Sequence, residues 1–349
     1  MSDKGSSTPA PPLAVAAIAP GPVAPVLRLA NGLFIAWKND CFRSRATART
    51  FGCQIEFLGQ DVPRGPWRYI ALMAQTWRTL NRVRPETVLC LNQPPMLPMV
   101  CGLWTRLHGG QVVQDFHSGA FSKRQWRPFL PIYRWMVRHA PFTLVHNRVD
   151  ALALSRWRAP LAVLLTLPAA PRAGLVRARR PGRPLFMFVC TFAADEPVQE
   201  ALAAFRACPQ ADFHITGNFS KAGLKRENMS PNVTLLGFVD YADYEQLMAE
   251  CTAVITLSDR PHIMQMAVEE ALTLGVPVLT NQSPTLQESL GDAGVFVDLV
   301  PDSIADGVRR VIDDEARLQH AASHARERCW HDVQQALAKI RVNQPSLFA

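Results

Sequence analysis

The chain has 349 residues, 48% of them hydrophobic, with 37 Lys plus Arg against 29 Asp plus Glu. That length accommodates two ordinary domains, the apolar fraction excludes a disordered chain, and 28 Pro exclude a mostly coiled-coil protein. The net charge of +8 points to an anionic partner: nucleic acid, a phosphorylated small molecule or an acidic membrane surface.

Residues 1–25 read as a disordered Pro/Ala-rich tail, because Pro11, Pro12, Pro20, Pro22 and Pro25 break any helix. No apolar stretch reaches the roughly 18 residues a spanning helix needs. Residues 26–168 read as a first α/β domain. Apolar runs ending in polar residues recur there, at 26–36, 87–92, 111–115 and 143–147, and Ile70, Met73, Trp77 and Leu80 recur at helical steps. Four Pro, two Gly and five Arg between Leu167 and Pro184 mark 169–184 as a linker. Residues 331–349 are expected to form a C-terminal tail.

Between these lies a second domain, 185–330, with stricter alternation. Strands are expected at 185–190, 212–216, 233–236, 253–257, 277–280 and 295–297, and helices at 196–207, 241–251, 264–274 and 302–313. Continuous apolar strands alternating with helices predict parallel sheets covered on both faces. Two such units form a cleft between strand carboxyl ends, where open α/β sheets bind ligands. Eight scattered Cys, with no C-x-x-C pair, favour neither a zinc site nor a disulfide framework and fit a reducing cytosol.

The segment from Ile255 to Asp298 is the most informative. Gly275 and Pro277 end its helix, and the helix start around His262 to Met266 offers free N–H groups suited to a phosphate. Glu269 and Glu270 diverge by about 100° on a helix, so one of them is expected to face the cleft. Glu270-Ala-Leu-Thr-Leu-Gly275-Val-Pro277-Val278 resembles the second half of the E-x7-E motif of retaining GT-B glycosyltransferases; His262 stands where the first Glu belongs, and Ile-Met-Gln265 replaces the Gly-Phe-Gly after it.

Further segments resemble a bacterial surface-polysaccharide subgroup of that family: Thr191-Phe-Ala-Ala-Asp195-Glu196-Pro197, Thr216-Gly217-Asn218 with Lys221, Asp115-Phe-His117-Ser118-Gly119-Ala-Phe121, and Val145-His146-Asn147. The resemblance implies two Rossmann-like domains facing across a cleft, the second holding a nucleotide-sugar and the first a saccharide acceptor, expected to be lipid-linked. It implies ribose binding by Glu270, with His262, Gln265, Gly217, Asn218, Lys221, Thr191 and Arg260 around the donor. It also implies a catalytic pair, His117 and Asp115, with Ser118, Gly119 and Asn147 on the acceptor side, and retention of anomeric configuration.

Bland alternatives stand beside these roles. His117 and Asp115 fit loop-capping as well, Asp195 and Glu196 fit a helix start, and Lys221 fits a solvated charge. No clustered His/Asp/Glu spacing supports a metal, and no cofactor is expected beyond the donor substrate. Trp67 with Arg68, and Trp126 with Arg127, suit an anionic membrane interface or half-buried packing better than nucleic acid. A cytoplasmic enzyme, peripheral on the inner leaflet, is the expectation. An epimerase on the same fold and an inactive subunit of a glycosyltransferase complex are the alternatives.

Overall fold

The computed structural model describes residues 27–348 apart from 39–41, 60–61, 63–64, 66, 118, 123, 165–174, 176, 179, 181 and 261–262. The first domain runs β1 (Gly32–Ala36), α1 (Phe42–Thr50), β2 (Gln54–Phe57), α2 (Arg68–Val83), β3 (Thr87–Leu91), α3 (Met96–His108), β4 (Gln111–Phe116), α4 (Gly119–Ser122), α5 (Leu130–His139), β5 (Thr143–Val145), α6 (Arg148–Ser155) and β6 (Leu161–Val163). The second runs β7 (Leu185–Val189), α7 (Val198–Arg206), β8 (Asp212–Thr216), β9 (Val233–Gly237), α8 (Tyr241–Glu250), β10 (Ala253–Thr256), α9 (Met266–Leu274), β11 (Val278–Asn281), α10 (Pro284–Leu290), β12 (Gly294–Val297) and α11 (Pro301–Asp313), followed by α12 (Glu315–Asn343).

Both sheets have six parallel strands, in the orders β2-β1-β3-β4-β5-β6 and β12-β11-β10-β7-β8-β9. The central strands β3 and β10 are buried at every position, as expected when helices cover both faces. The order reverses beside β1 in one sheet and beside β7 in the other, the switch points where such sheets open a crevice. Gly275 ends α9 with φ of 66°, a left-handed cap that carries the chain into β11.

Three stretches depart from the expectations. Edge strands β2 and β6 carry only four and three residues, too few to establish a periodicity. Residues 331–349, expected as a tail, instead extend α12 and end in a short 3-10 turn at Pro345–Leu347. The physical reason is a buried stripe along α12. Ala322 and Ala325 pack in the second domain, whereas Val333, Leu337 and Ile340 complete the core of the first. One helix therefore belongs to both domains. The linker region lies mostly outside the described residues, but Arg177 is buried and donates to the carbonyls of Ala249 and Cys251 at 2.7 and 3.1 Å.

Candidate active site

On the second domain, the carboxyl ends of β7, β8, β10 and β11 form one polar wall. After β7, the Glu196 carboxylate accepts from the backbone N–H groups of Thr191 (3.0 Å) and Ala193 (2.8 Å) and from the Thr191 hydroxyl, fixing that loop. Asp195 accepts from the Ser258 hydroxyl at 2.8 Å and pairs with Arg260 at 2.9 Å. Asn281 Oδ1 accepts from the Ser258 N–H at 3.0 Å and from Gln265 Nε2 at 3.4 Å. At Gly217, φ is 103° and an added Cβ would sit 1.9 Å from the Cys190 carbonyl oxygen, so only glycine lets β8 end this close to β7. Lys221 donates to the Thr191 carbonyl at 3.1 Å, across the same opening.

Helix α9 begins beside this wall; its N-cap residue Gln265 makes no side-chain capping bond, and the Val268 N–H donates to the Gln265 carbonyl at 3.1 Å. The other N–H groups of the first turn and the positive dipole end suit an anion. Gln265 Oε1 and Ser283 Oγ are buried nearby with no hydrogen-bond partner among the described residues, a cost a polar ligand would relieve. Glu270, one turn into α9, is half-buried and accepts from the Tyr244 hydroxyl at 2.6 Å. Burial raises its carboxyl from 4.5 to about 7, and Glu245 adds to the rise while the Tyr244 hydrogen bond opposes it.

The facing wall is built from the ends of β1, β3, β4 and β5. A cavity of about 330 Å³ is lined by Trp37, Lys38, Tyr69, Gln93, His117 and Trp126, among others. Trp37 donates its ring N–H to Thr76 at 2.7 Å, and Tyr69 packs edge-on against Trp126. Asp115, wholly buried, lies behind the cavity. One carboxylate oxygen faces His117 Nε2 at 3.3 Å, and the other bonds His146 Nε2. Burial alone would raise the Asp115 carboxyl, but the two imidazoles hold it well below the usual range. His146 Nδ1 meets the Leu164 carbonyl at 3.1 Å, and the His117 N–H donates to Asn92 Oδ1 at 2.9 Å.

The walls are joined by an ion pair between Arg43, in the first turn of α1, and Glu269, in the first turn of α9. Both helices start at strand carboxyl ends, so this bridge sets the two carboxyl edges opposite each other. Both side chains are buried, Glu269 to 1% exposure. A second, more exposed bridge links Arg148 and Glu288.

Of the residues expected around a donor, Thr191, Gly217, Asn218, Lys221 and Arg260 follow the ends of neighbouring strands, Gln265 precedes α9 and Glu270 lies one turn into it. Asp115 and His117 come together opposite them, and Gly119 opens α4 with the Gln93 amide 2.5 Å from where a Cβ would stand. Asn147 also caps α6: its Oδ1 accepts from the Asp150 N–H at 2.7 Å and its Nδ2 donates to the Asp150 carboxylate. Ser118 and His262 lie outside the described residues.

Of the two readings of its stretch, Trp126 itself takes the packing one, being 7% exposed and part of the cavity wall, while Trp135 is exposed. His146 and Arg43 were not among the expected site residues. The V-H-N segment held the only signal for His146; the resemblance across Trp37 to Arg45 took in Arg43 without giving it a role, and its partner is more than 200 positions away. Asp115, His117 and His146 bring ligand-type atoms within 4.8 Å, a cluster that linear spacing hides. Each carboxylate oxygen is paired with its own imidazole, which makes the cluster a hydrogen-bonded chain.

Residues 183–314 match the family model of glycosyl transferases group 1. No curated protein matches the chain in sequence. Among solved structures, HepE of Anabaena, in complex with UDP-glucose, is similar with a TM-score of 0.65 at 14% identity, over 92% of this chain and 100% of that one. Sucrose-phosphate synthase from Thermosynechococcus elongatus gives 0.62 at 14% identity, over 90% and 89%. A UDP-N-acetylglucosamine 2-epimerase structure from Listeria monocytogenes gives 0.59 at 13%, over 89% and 97%. The chain therefore has the GT-B fold, and its second domain carries the sequence pattern of the group 1 glycosyltransferases.

Proposed function

We propose that the protein is a glycosyltransferase that moves a hexose from a nucleotide-sugar, held on the second domain, to a hydroxyl of a saccharide acceptor in the first-domain cavity. The observation that carries this reading is the opposition of two different walls. One has a carboxylate and a free helix start; the other has a cavity backed by the His117–Asp115 pair. Glu270 takes the two ribose hydroxyls as charge-assisted donors, and the start of α9 takes the diphosphate. The bond from the anomeric carbon to the phosphate oxygen breaks while the acceptor oxygen bonds to that carbon. Charge leaving with the phosphate is offset by α9 N–H groups, with Lys221 and Arg260 at the rim. His117 has Nε2 turned to Asp115, which leaves Nδ1 to meet a substrate hydroxyl. Its ring is the acceptor-side acid–base group of this reading.

The expected result is stabilisation of the folded chain by UDP and UDP-glucose in thermal-shift measurements, since a ligand of the native state raises its melting temperature. UDP-glucose is the first donor to test because HepE was solved with it. In turnover, His117→Ala lowers kcat by about 10²–10⁴-fold while the circular dichroism of the fold is unchanged. Undiminished transfer would remove His117 from the site. Conversion of the donor without an acceptor would replace the transferase reading by an epimerase.

The acceptor we infer is lipid-linked, in bacterial surface-polysaccharide assembly, with the protein resting on an anionic inner-leaflet surface. Support comes from α3, where Met99, Leu103 and Leu107, four residues apart, expose one apolar face. Exposed Ile70 belongs to the neighbouring α2, exposed Trp67 stands at its N-cap, and Arg106 supplies charge beside the stripe. Such a face suits the boundary of an acidic bilayer. None of the described helices is long and apolar enough to cross a membrane. Co-sedimentation with anionic vesicles, lost in the Leu103→Glu/Leu107→Glu variant, is the expected result; no sedimentation of the wild type would refute the surface.

A further inference from the structure

Asp115 is held from two sides, and only one of its partners reaches the cavity. The Leu164 carbonyl can only accept, so His146 Nδ1 carries a hydrogen toward it. The Nε2 of the same ring then bonds the Asp115 oxygen only if one further proton lies between them. Whichever atom holds that proton, the His146–Asp115 pair sums to zero charge. The second oxygen of Asp115 is left to accept from His117 Nε2, and the lone pair of His117 lies on Nδ1.

We propose that His146 is a positioning residue: it holds one proton against Asp115 from behind, and thereby leaves His117 free to accept a proton from a substrate hydroxyl. A bare carboxylate beside His117 would favour the imidazolium, which has no lone pair to offer. The identity of that hydroxyl rests on the transferase reading; the shared proton does not.

The surroundings supply no substitute for His146. From α1, Arg43 adds positive potential at the His146 ring and is itself matched by Glu269. From β3, the Cys90 thiol is kept protonated by its hydrogen bond to Cys101, by burial and by Asp115. Among the described residues, Asp115, His117 and His146 complete the group of titratable side chains. Burial, the largest influence, lowers His146 below its usual 6.5, and Asp115 works in the other direction; the contacts of both ring nitrogens are what place a proton between the two residues.

Two measurements test this on the full chain. In proton NMR, the wild type shows one exchange-protected resonance far downfield of the amide envelope, and His146→Gln lacks it. Gln keeps an N–H donor toward Asp115 but has no titrating proton to share, so packing is preserved while charge is lost. In turnover, His146→Gln moves the acidic limb of the kcat/KM profile to higher pH by about one to three pH units. The alkaline plateau stays near wild type, and Asp115→Asn in the same chain moves the limb back.

A missing downfield resonance in the wild type overturns the proposal. So does a His146→Gln profile lowered uniformly with its limb in place, the mark of a packing role alone. Stoichiometric Zn²⁺ binding that His146→Gln abolishes would put a metal where the proton is assigned, and overturns it as well. Absence of transfer with any donor sinks the transferase reading instead, and the wild-type NMR result still decides the proton.

Discussion

Replacing Glu270 by Gln weakens UDP binding by at least about 100-fold and, at pH 8, makes the empty protein more stable. The first effect follows from losing charge-assisted hydrogen bonds to ribose, each worth roughly 1.5–3 kcal/mol. The second follows from burial, which raises the carboxyl from 4.5 to about 7. An acid whose folded-state value is raised contributes stability below its unfolded value and loses it as pH rises toward the folded one. The wild type therefore loses about 3 kcal/mol relative to Glu270→Gln between pH 4.5 and 7. Nucleotide affinity of the wild type rises over the same interval, by up to tenfold per pH unit near its lower end. Calorimetric titration with UDP at pH 5.5 and 8, beside urea unfolding of both proteins, reads all of this. Equal UDP affinity in the two proteins would remove Glu270 from the ribose position.

Arg43→Met is expected to be the most destabilising single change at the junction. It strands Glu269, 1% exposed, as an unpaired buried carboxylate; breaking such pairs costs about 3–5 kcal/mol. Glu269→Met does the converse to Arg43. The double variant Arg43→Met/Glu269→Met regains most of the loss, because two apolar chains need no partner. Equilibrium urea unfolding followed by tryptophan fluorescence measures the midpoints. A single variant with the wild-type midpoint would mean that the pair does not hold the walls together.

The second domain was largely legible in the sequence. Its six expected strands lie within about two residues of those observed: β10 and β11 are unbroken buried runs and β7 nearly so, while β8, β9 and β12 are mixed runs set between helices. Gly275 was readable as a cap from Pro277 two places on, and Ile304, Val308 and Val311, at helical steps within the expected helix 302–313, are buried in α11. In α12 the buried positions include three small residues, Ala322, Ala325 and Cys329, so the helix has a stripe but little hydrophobic contrast. Glu269 and Glu270 show a different limit. Helical geometry separates their directions, and one was expected inward; both are engaged, one with Arg43 and the other with Tyr244. Pairings between distant elements, His146 with Asp115 included, leave no periodic trace in a linear pattern.

The seam formed by α12 bears on the order in which the chain can fold. Leu27 and Leu29 share a core with Val333, Leu337, Ile340 and Leu347, and the Ala30 N–H donates to the Leu347 carbonyl at 2.9 Å. During translation the earlier lobe emerges first, yet its apolar flank stays uncovered until the ribosome has delivered position 347. The later lobe draws nothing from beyond Cys329 for its own core, so its last apolar contact is delivered sooner than that of the lobe made ahead of it.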